Sequence, residues 1–348
     1  MADNGARQET IPDTVPATAV YSYRELLTVD LPPDRPLIAG LVGEETGNIW
    51  GGPGGVGKSW LLMAAARAIA SGTPFLGHFP TTQRAVLIVD EENRLRTLQT
   101  RARMFENAAP LGDIPITFAV GLGLRVDAER EAAQLDALMT KHRPGLTILD
   151  SLTRVHNANE NNAGEMAGVF FNTKALMRAH RCAALFTDHT RKKGLNNDPA
   201  ETLRGTSEKR AWPETIIDVA ADEQERGRLV LTITKSRESE AVAPFGVRLD
   251  INNAAEIARL VYTGEATDHK TTSTADDIIR AIHLITGAQG PDAADAIRIS
   301  DVLNCSRSTV DRQASRLVKA EILDAHPVPA GPNGGSPKKV YTVKGGRD

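Results

Sequence analysis

The sequence is poor in cysteine, in long apolar runs and in net charge, and each shortage excludes a class of protein. Cys182 and Cys305 are the only cysteines and form no C-x-x-C pair, so neither a disulfide framework nor a cysteine-rich zinc site is expected. The absence of an apolar run of about 18 residues argues against a membrane span, and the polar start lacks the pattern of a secretory signal. A cytoplasmic protein without membrane contact is expected. The net charge of −3 requires any nucleic-acid surface to be local.

Local composition divides the chain into four parts. Residues 1–35 are predicted to form a partly disordered N-terminal tail, because their first 20 residues offer little apolar surface to offset ordering entropy. Residues 36–263 alternate short apolar runs with helical patterns, which predicts an α/β domain with a mainly parallel sheet covered on both faces. The threonine-rich residues 264–275 are predicted to be a linker, and residues 276–348 a small separate domain.

Residues 52–59 match the pattern G-x-x-x-x-G-K-[ST] between a strand end and a strong helix. The glycines allow consecutive backbone N–H groups to point at phosphates, and the following helix adds the positive end of its dipole. Lys58 is predicted to reach the β- and γ-phosphates, and Ser59 to ligate Mg²⁺. The predicted ATP-binding residues are Gly52, Gly54, Gly55, Val56, Gly57, Lys58, Ser59 and Trp60.

Two later apolar runs end in acids. The run 146–149 ends at Asp150, and an acid at the carboxyl end of a strand can hold Mg²⁺ beside a phosphate loop. Ser59 and Asp150 are therefore the predicted metal residues, with a simple turn-starting Asp as the alternative. The run 86–89 leads into three acids at 90–92, one of which could deprotonate the attacking water. Acids that favour the dipole of a following helix are the alternative there.

A third apolar run, residues 183–186, leads to His189. A polar residue at the end of a strand next to the phosphate loop could sense the γ-phosphate. An ordinary surface histidine beside a basic turn is an equal alternative.

Together these motifs resemble the RecA-like P-loop ATPases, and most closely the RepA-type hexameric replicative helicases, over about residues 37–249. The resemblance implies an ATP-hydrolysing motor that acts on DNA and uses ATP and Mg²⁺. It places the catalytic glutamate at Glu92 and the conformational sensor at His189. Asp188 departs from the pattern, because the family tends to show a second histidine there.

Lys235 and Arg237, which follow the apolar run 229–234, resemble the Lys-x-Arg pair of hexameric RecA-fold helicases. In those enzymes the arginine enters the ATP site of a neighbouring subunit, where such a finger is worth about 10³ to 10⁵ in rate. The resemblance implies a homo-oligomer, a hexamer, whose sites are each built from two subunits. An ordinary basic strand end is the alternative.

The resemblance also assigns single-stranded DNA binding to the loop 191–203. Arg191, Lys192 and Lys193 are its cations, and Arg204 begins an Arg-Gly-x-Ser turn after it. Two acids in the loop reduce its positive charge. The prediction of an ATPase is therefore better founded than the prediction of a helicase.

Residues 299–323 resemble a winged helix-turn-helix. One helix face is apolar at Val310, Ala314, Leu317 and Val318. Arg307, Arg312 and Arg316 lie elsewhere on that helix and suit the phosphates and base edges of duplex DNA. Residues 297–348 carry nine basic and five acidic side chains, a balance of +4 that is typical of a DNA contact. A winged helix that binds protein or dimerises is the alternative.

Two functions compete on these observations. The first is the DNA motor, and the second is an ATP-switched DNA-binding regulator or loader without unwinding activity. Displacement of a strand from a forked substrate would exclude the second. A non-oligomeric NTPase is a third possibility, which the mass in solution with and without ATP would test.

Overall fold

The structure, a computed structural model, describes residues 20–31, 33–190, 205–222, 225–237, 242–266, 274–303, 307–328 and 338–344. No helix within these ranges is long and apolar enough to cross a membrane. The strands of the large sheet are β1 (Gly47–Gly52), β2 (Val86–Asp90), β3 (Ile116–Val120), β4 (Leu146–Asp150), β5 (Ala183–His189), β6 (Thr215–Ala221), β7 (Arg228–Ser236), β8 (Phe245–Asn252) and β9 (Ile257–Glu265). The helices of this region are α1 (Tyr23–Thr28), α2 (Lys58–Ser71), α3 (Leu95–Ala108), α4 (Glu129–His142), α5 (Ala163–His180) and α6 (Glu208–Ala211).

The sheet runs in the order β3-β2-β4-β5-β1-β6-β7-β8-β9. Its first six strands are parallel to one another, and β7, β8 and β9 are added antiparallel at one edge. The predicted α/β fold with a mainly parallel sheet is therefore confirmed and fits a RecA-like core. Because β5 lies between β1 and β4, the polar ends of all three strands meet at one edge of the sheet.

Alternation along the strands supplies the two faces of this sheet. Trp50, Val86 and Ile88 point to the face that α2 covers, where Leu61 and Ile69 are buried. The other face carries Ile49, Leu87 and Val89 against apolar residues of α4 and α5. The central strands read as continuous apolar runs because both of their faces are buried.

The predicted tail 1–35 contains the short helix α1, which the sequence argument did not anticipate. The Ser22 hydroxyl accepts a hydrogen bond from the Glu25 N–H at 3.3 Å, and the Glu25 carboxylate accepts one from the Ser22 N–H at 2.7 Å. This reciprocal pair is a capping box, which satisfies two free N–H groups at the helix start.

The C-terminal region has its own apolar core. It contains α7 (Thr274–Gln289), α8 (Ala296–Val302), α9 (Arg307–Lys319), β10 (Leu323–Val328) and β11 (Lys338–Val343). β10 and β11 pair antiparallel. On the predicted apolar face of α9, Val310, Ala314 and Leu317 are buried and Val318 is partly buried. β9 continues to Glu265 and α7 begins at Thr274, so both ends of the predicted linker 264–275 belong to regular elements.

Candidate active site

The phosphate loop joins the end of β1 to the start of α2 and depends on its glycines. Gly55 and Gly57 have φ values of +76° and +113°, which residues with a side chain rarely adopt. A Cβ on Gly52 would lie 2.5 Å from the carbonyl oxygen of Val219 on the neighbouring strand β6. The backbone conformation therefore favours glycine at Gly55 and Gly57, and the close approach of β6 leaves no room for a side chain at Gly52.

The Lys58 side chain lies inside the loop. It is buried, and its Nζ donates hydrogen bonds to the carbonyl oxygens of Gly52 at 2.7 Å and Pro53 at 3.0 Å. Burial lowers the pKa of Lys58, while the carboxylates of Asp150 and Glu92 oppose this and raise it. The lysine charge is thus placed beside the acids at the carboxyl edge of the sheet.

Ser59 and Asp150, predicted from motifs 91 residues apart, are in contact. Ser59 Oγ donates to Asp150 Oδ2 at 2.9 Å, and the Thr187 hydroxyl on β5 donates to Asp150 Oδ1. Burial raises the pKa of Asp150, and the Thr187 hydrogen bond only partly offsets this. A hydroxyl and a carboxylate are hard oxygen ligands of the kind that Mg²⁺ takes, so the pair fits this ion.

The three acids after β2 have separate surroundings. Asp90 Oδ1 accepts the backbone N–H groups of Glu92 at 3.0 Å and Asn93 at 2.7 Å, which fixes the turn. Glu91 accepts the N–H groups of Gly123 and Leu124 at 3.1 and 3.0 Å. Glu92 is exposed, and its charge raises the pKa values of Lys58 and Asp150. Of the three, Glu92 has its carboxylate available beside the loop.

His189 and Trp60 differ in what they face. A Cβ on Gly54 would lie 3.9 Å from Cε1 of His189, so the imidazole lies next to the phosphate loop. The Trp60 ring packs against Phe105 of α3, with ring centroids 5.6 Å apart. Only the Trp60 backbone adjoins the loop, where its N–H donates to the Gly57 carbonyl at 3.0 Å.

A buried ion pair links β5 to α6. Lys209 Nζ lies 2.8 Å from Asp188 Oδ2, and both side chains are fully buried. Glu160 lies 3.4 Å from the same Nζ. A Cβ on Gly205 would lie 2.6 Å from the Glu160 carbonyl oxygen, which explains the glycine of the predicted Arg-Gly-x-Ser turn. Sequence reasoning missed Lys209, although an acid at the end of a buried strand indicates that some cation must pair with it.

Lys235 and Arg237 lie together at the end of α6. Lys235 Nζ donates to the carbonyl oxygens of Arg210 at 2.6 Å and Ala211 at 3.0 Å, and Arg237 Nη2 donates to Ala211 at 2.9 Å. Burial, together with the charge of Arg237, lowers the pKa of Lys235 to about 8. Cations at a helix carboxyl end are favoured by its dipole.

The predicted DNA-binding residues fall into two sets. Arg191, Lys192, Lys193 and Arg204 lie outside the described residues. On α9, the Arg307 side chain is 66% exposed and lies 3.5 Å from Asp311, and Arg316 is exposed, whereas the Arg312 side chain is outside the description.

Two comparisons found similarity to known proteins. The crystal structure of a KaiC-like protein from the hyperthermophilic archaeon Pyrococcus horikoshii OT3 is similar at 16% identity and a TM-score of 0.43, covering 65% of this chain and 93% of that one. The family model of the AAA domain matches residues 14–194, just over half of the chain and all of the phosphate loop. The chain belongs to the AAA domain family of P-loop ATPases.

Proposed function

We propose that this ATPase is a Mg²⁺-dependent motor acting on DNA, a hexameric replicative helicase of the RepA type. The observation that carries the proposal is the position of Lys235 and Arg237 at the opposite end of the sheet from their own phosphate loop. Such a pair can serve an ATP site only if that site belongs to another subunit.

The strand register gives this separation. Ser236 on β7 pairs with Thr215 on β6, and Thr215 pairs with Asn48 near the start of β1. The phosphate loop follows Gly52, four residues further along β1, which is about 13 Å at strand rise. Because β7 runs antiparallel to β1, its carboxyl end carries Arg237 away from its own loop. This supports a heterologous, ring-forming interface in which one subunit completes the site of the next.

Within one subunit the described side chains divide the chemistry of hydrolysis. Bound Mg²⁺ would neutralise charge on the phosphate oxygens. Ser59 and Asp150 would hold the ion, and Lys58 would place its charge beside the β- and γ-phosphates. Glu92 accepts the proton of the attacking water, because its carboxylate is exposed beside the loop. His189 faces the same loop and senses whether the γ-phosphate is present.

ATP turnover tests the motor proposal. Purified protein is assayed without DNA, with single strands and with duplex, each at saturating and zero Mg²⁺, and Lys58→Ala serves as the inactive control. We expect turnover that requires Mg²⁺ and rises with single-stranded DNA. Turnover that is the same with and without DNA would contradict a motor acting on DNA. Turnover at zero Mg²⁺ would contradict the proposed metal dependence.

Mixing two inactive variants tests the shared site. Arg237→Ala keeps its phosphate loop, Lys58→Ala keeps its arginine, and neither alone should hydrolyse ATP at more than a small fraction of the wild-type rate. In a co-assembled mixture roughly a quarter of the heterologous interfaces join two intact halves, so activity should return to a measurable fraction. Full ATPase activity of Arg237→Ala by itself would show that Arg237 takes no part in hydrolysis. Mixtures that form mixed rings and stay inactive would count against a site shared between subunits.

An ATP-switched DNA-binding regulator or loader is the second candidate, favoured by the exposed cations Arg307 and Arg316 on α9. It predicts duplex binding that depends on the bound nucleotide, without strand separation. A forked substrate with one labelled strand distinguishes the two functions, because only a motor releases the label as ATP is consumed.

A further inference from the structure

Arg101 on α3 reaches the active site from outside every motif identified in the sequence. Its guanidinium carbon lies 5.3 Å from the ring centroid of Trp60, and its Nη1 donates to Asn93 Oδ1 at 3.3 Å. Burial lowers the pKa of Arg101, while Asp150 and Asp90 oppose this and raise it. The guanidinium therefore lies in the field of both carboxylates and within cation–π distance of an aromatic ring.

Asn93 connects Arg101 to these carboxylates. Its Nδ2 donates to Asp90 Oδ2 at 2.9 Å and to Asp150 Oδ2 at 3.4 Å. Asp150 Oδ2 is also the atom that accepts the Ser59 hydroxyl. One amide group thus touches the predicted metal ligand and the acid that fixes the turn before Glu92.

The amide can do this in one orientation only. When Oδ1 faces Arg101, this oxygen accepts the guanidinium N–H. The two N–H groups of Nδ2 then face the carboxylate oxygens of Asp90 and Asp150, which accept them. The reversed amide would set Nδ2 against the guanidinium and Oδ1 against Asp90 and Asp150, so all of these contacts would become repulsive. The two carboxylates favour the first orientation, and the Arg101 cation next to Asn93 Oδ1 reinforces it and fixes the position of the amide.

We propose that Arg101 is a positioning residue of the ATPase site, which orients the Asn93 amide so that Asp150 and the turn carrying Glu92 are held in place for the metal and the water. The inference rests on the proposed Mg²⁺-dependent function. The cation–π contact with Trp60 helps to hold the guanidinium in place, which gives the tryptophan after the phosphate loop a role through its side chain. Groups that orient metal ligands in this way are typically worth 10 to 100-fold in metal affinity or activity, so we expect an effect of about that size.

Direct metal binding tests the inference without turnover. Mn²⁺ is titrated into the full chain with ADP and followed by electron paramagnetic resonance, for wild type, Arg101→Leu and Arg101→Lys. Arg103→Leu is the matched control, since Arg103 is exposed on the same helix. We expect Arg101→Leu to weaken Mn²⁺ binding about tenfold, to lower kcat by about 10 to 100-fold, and to leave ADP affinity in EDTA unchanged.

Coulomb's law alone predicts the opposite sign, because removing a cation beside two carboxylates favours a divalent ion. Mn²⁺ binding by Arg101→Leu that equals or exceeds that of wild type would therefore overturn the inference. Arg101→Lys keeps the charge but replaces the guanidinium, whose Nη1 donates to Asn93 Oδ1, by a shorter ammonium group, so we expect it to resemble the leucine variant. Full rescue by lysine would assign the effect to charge and refute positioning.

A double variant shows whether Arg101 acts through Asn93. If it does, Arg101→Leu combined with Asn93→Ala binds Mn²⁺ no more weakly than Asn93→Ala alone, whereas additive losses contradict the pathway. A wild-type chain that binds ADP but no Mn²⁺ would overturn the proposed metal-dependent function and this inference together. Normal Mn²⁺ binding in wild type and in both Arg101 variants would overturn this inference alone.

Discussion

Replacing Lys209 by methionine tests the buried ion pair at the end of β5. The replacement keeps the length and apolar stem of the side chain but leaves the fully buried Asp188 carboxylate without its cation, which lies 2.8 Å away in the wild type. The attraction at that distance is about 6 kcal/mol at an effective dielectric of about 20. Removing one partner of a buried pair typically costs about 3–5 kcal/mol. We therefore expect the melting temperature to fall by roughly 10 °C.

The loss of stability in Lys209→Met should also depend on pH. Burial raises the pKa of Asp188 even in the presence of Lys209, and without Lys209 we expect a further rise. Between the unfolded and the folded pKa the folded chain binds a proton that the unfolded chain has released, so stability decreases as pH rises through this window. The deficit of Lys209→Met should be smaller at about pH 5 than at about pH 8.

Calorimetry of Lys209→Met, of a control variant and of a double variant measures how much the ion pair stabilises the fold. Arg210→Met, an exposed cation next in the chain, is the control and should change stability by no more than about 0.5 kcal/mol. Lys209→Met with Asp188→Asn should recover most of the loss, because asparagine keeps an acceptor for the His189 N–H without a buried charge. If Lys209→Met melts at the same temperature as Arg210→Met, the pair does not stabilise this region.

Three further outcomes follow from the site and from α9. Gly52→Ala should abolish binding of a fluorescent ATP analogue, since its Cβ would meet the Val219 carbonyl at 2.5 Å, whereas Gly168→Ala in α5 meets nothing within 4 Å and should bind normally. Asp150→Asn should lower ATP turnover on the order of 100-fold, because the amide keeps the shape of the predicted metal ligand but not its charge. Nucleotide binding without Mg²⁺ should persist, and unchanged turnover would exclude Asp150 as that ligand. Arg316→Ala should weaken duplex binding, measured by fluorescence anisotropy, and reduce the slope of log K against log salt by about one. A slope equal to that of wild type would show that Arg316 does not contact a DNA phosphate.

The sequence by itself determined the fold class and the centre of the site. The phosphate loop is a local motif whose glycines, lysine and serine are consecutive, so its chemistry can be predicted without knowing the rest of the chain. Short apolar runs that end in polar residues predicted β2, β4 and β5 and placed Asp150 and His189 at one edge of the sheet. The choice of Glu92 over Glu91 came from a family resemblance, and the structure places the Glu91 carboxylate on the Gly123 and Leu124 amides.

Tertiary structure alone decided which distant side chains meet. Lys209 is an ordinary cation on a short helix until folding buries it against Asp188, 21 residues earlier in the chain. Arg101 occupies a helix position with no local pattern, and only the packing of α3 on Trp60 brings it to Asn93. The end of the sheet at which Lys235 and Arg237 lie follows from the antiparallel direction of β7. Pairing and strand direction depend on contacts between residues far apart in the chain, which no local sequence pattern encodes.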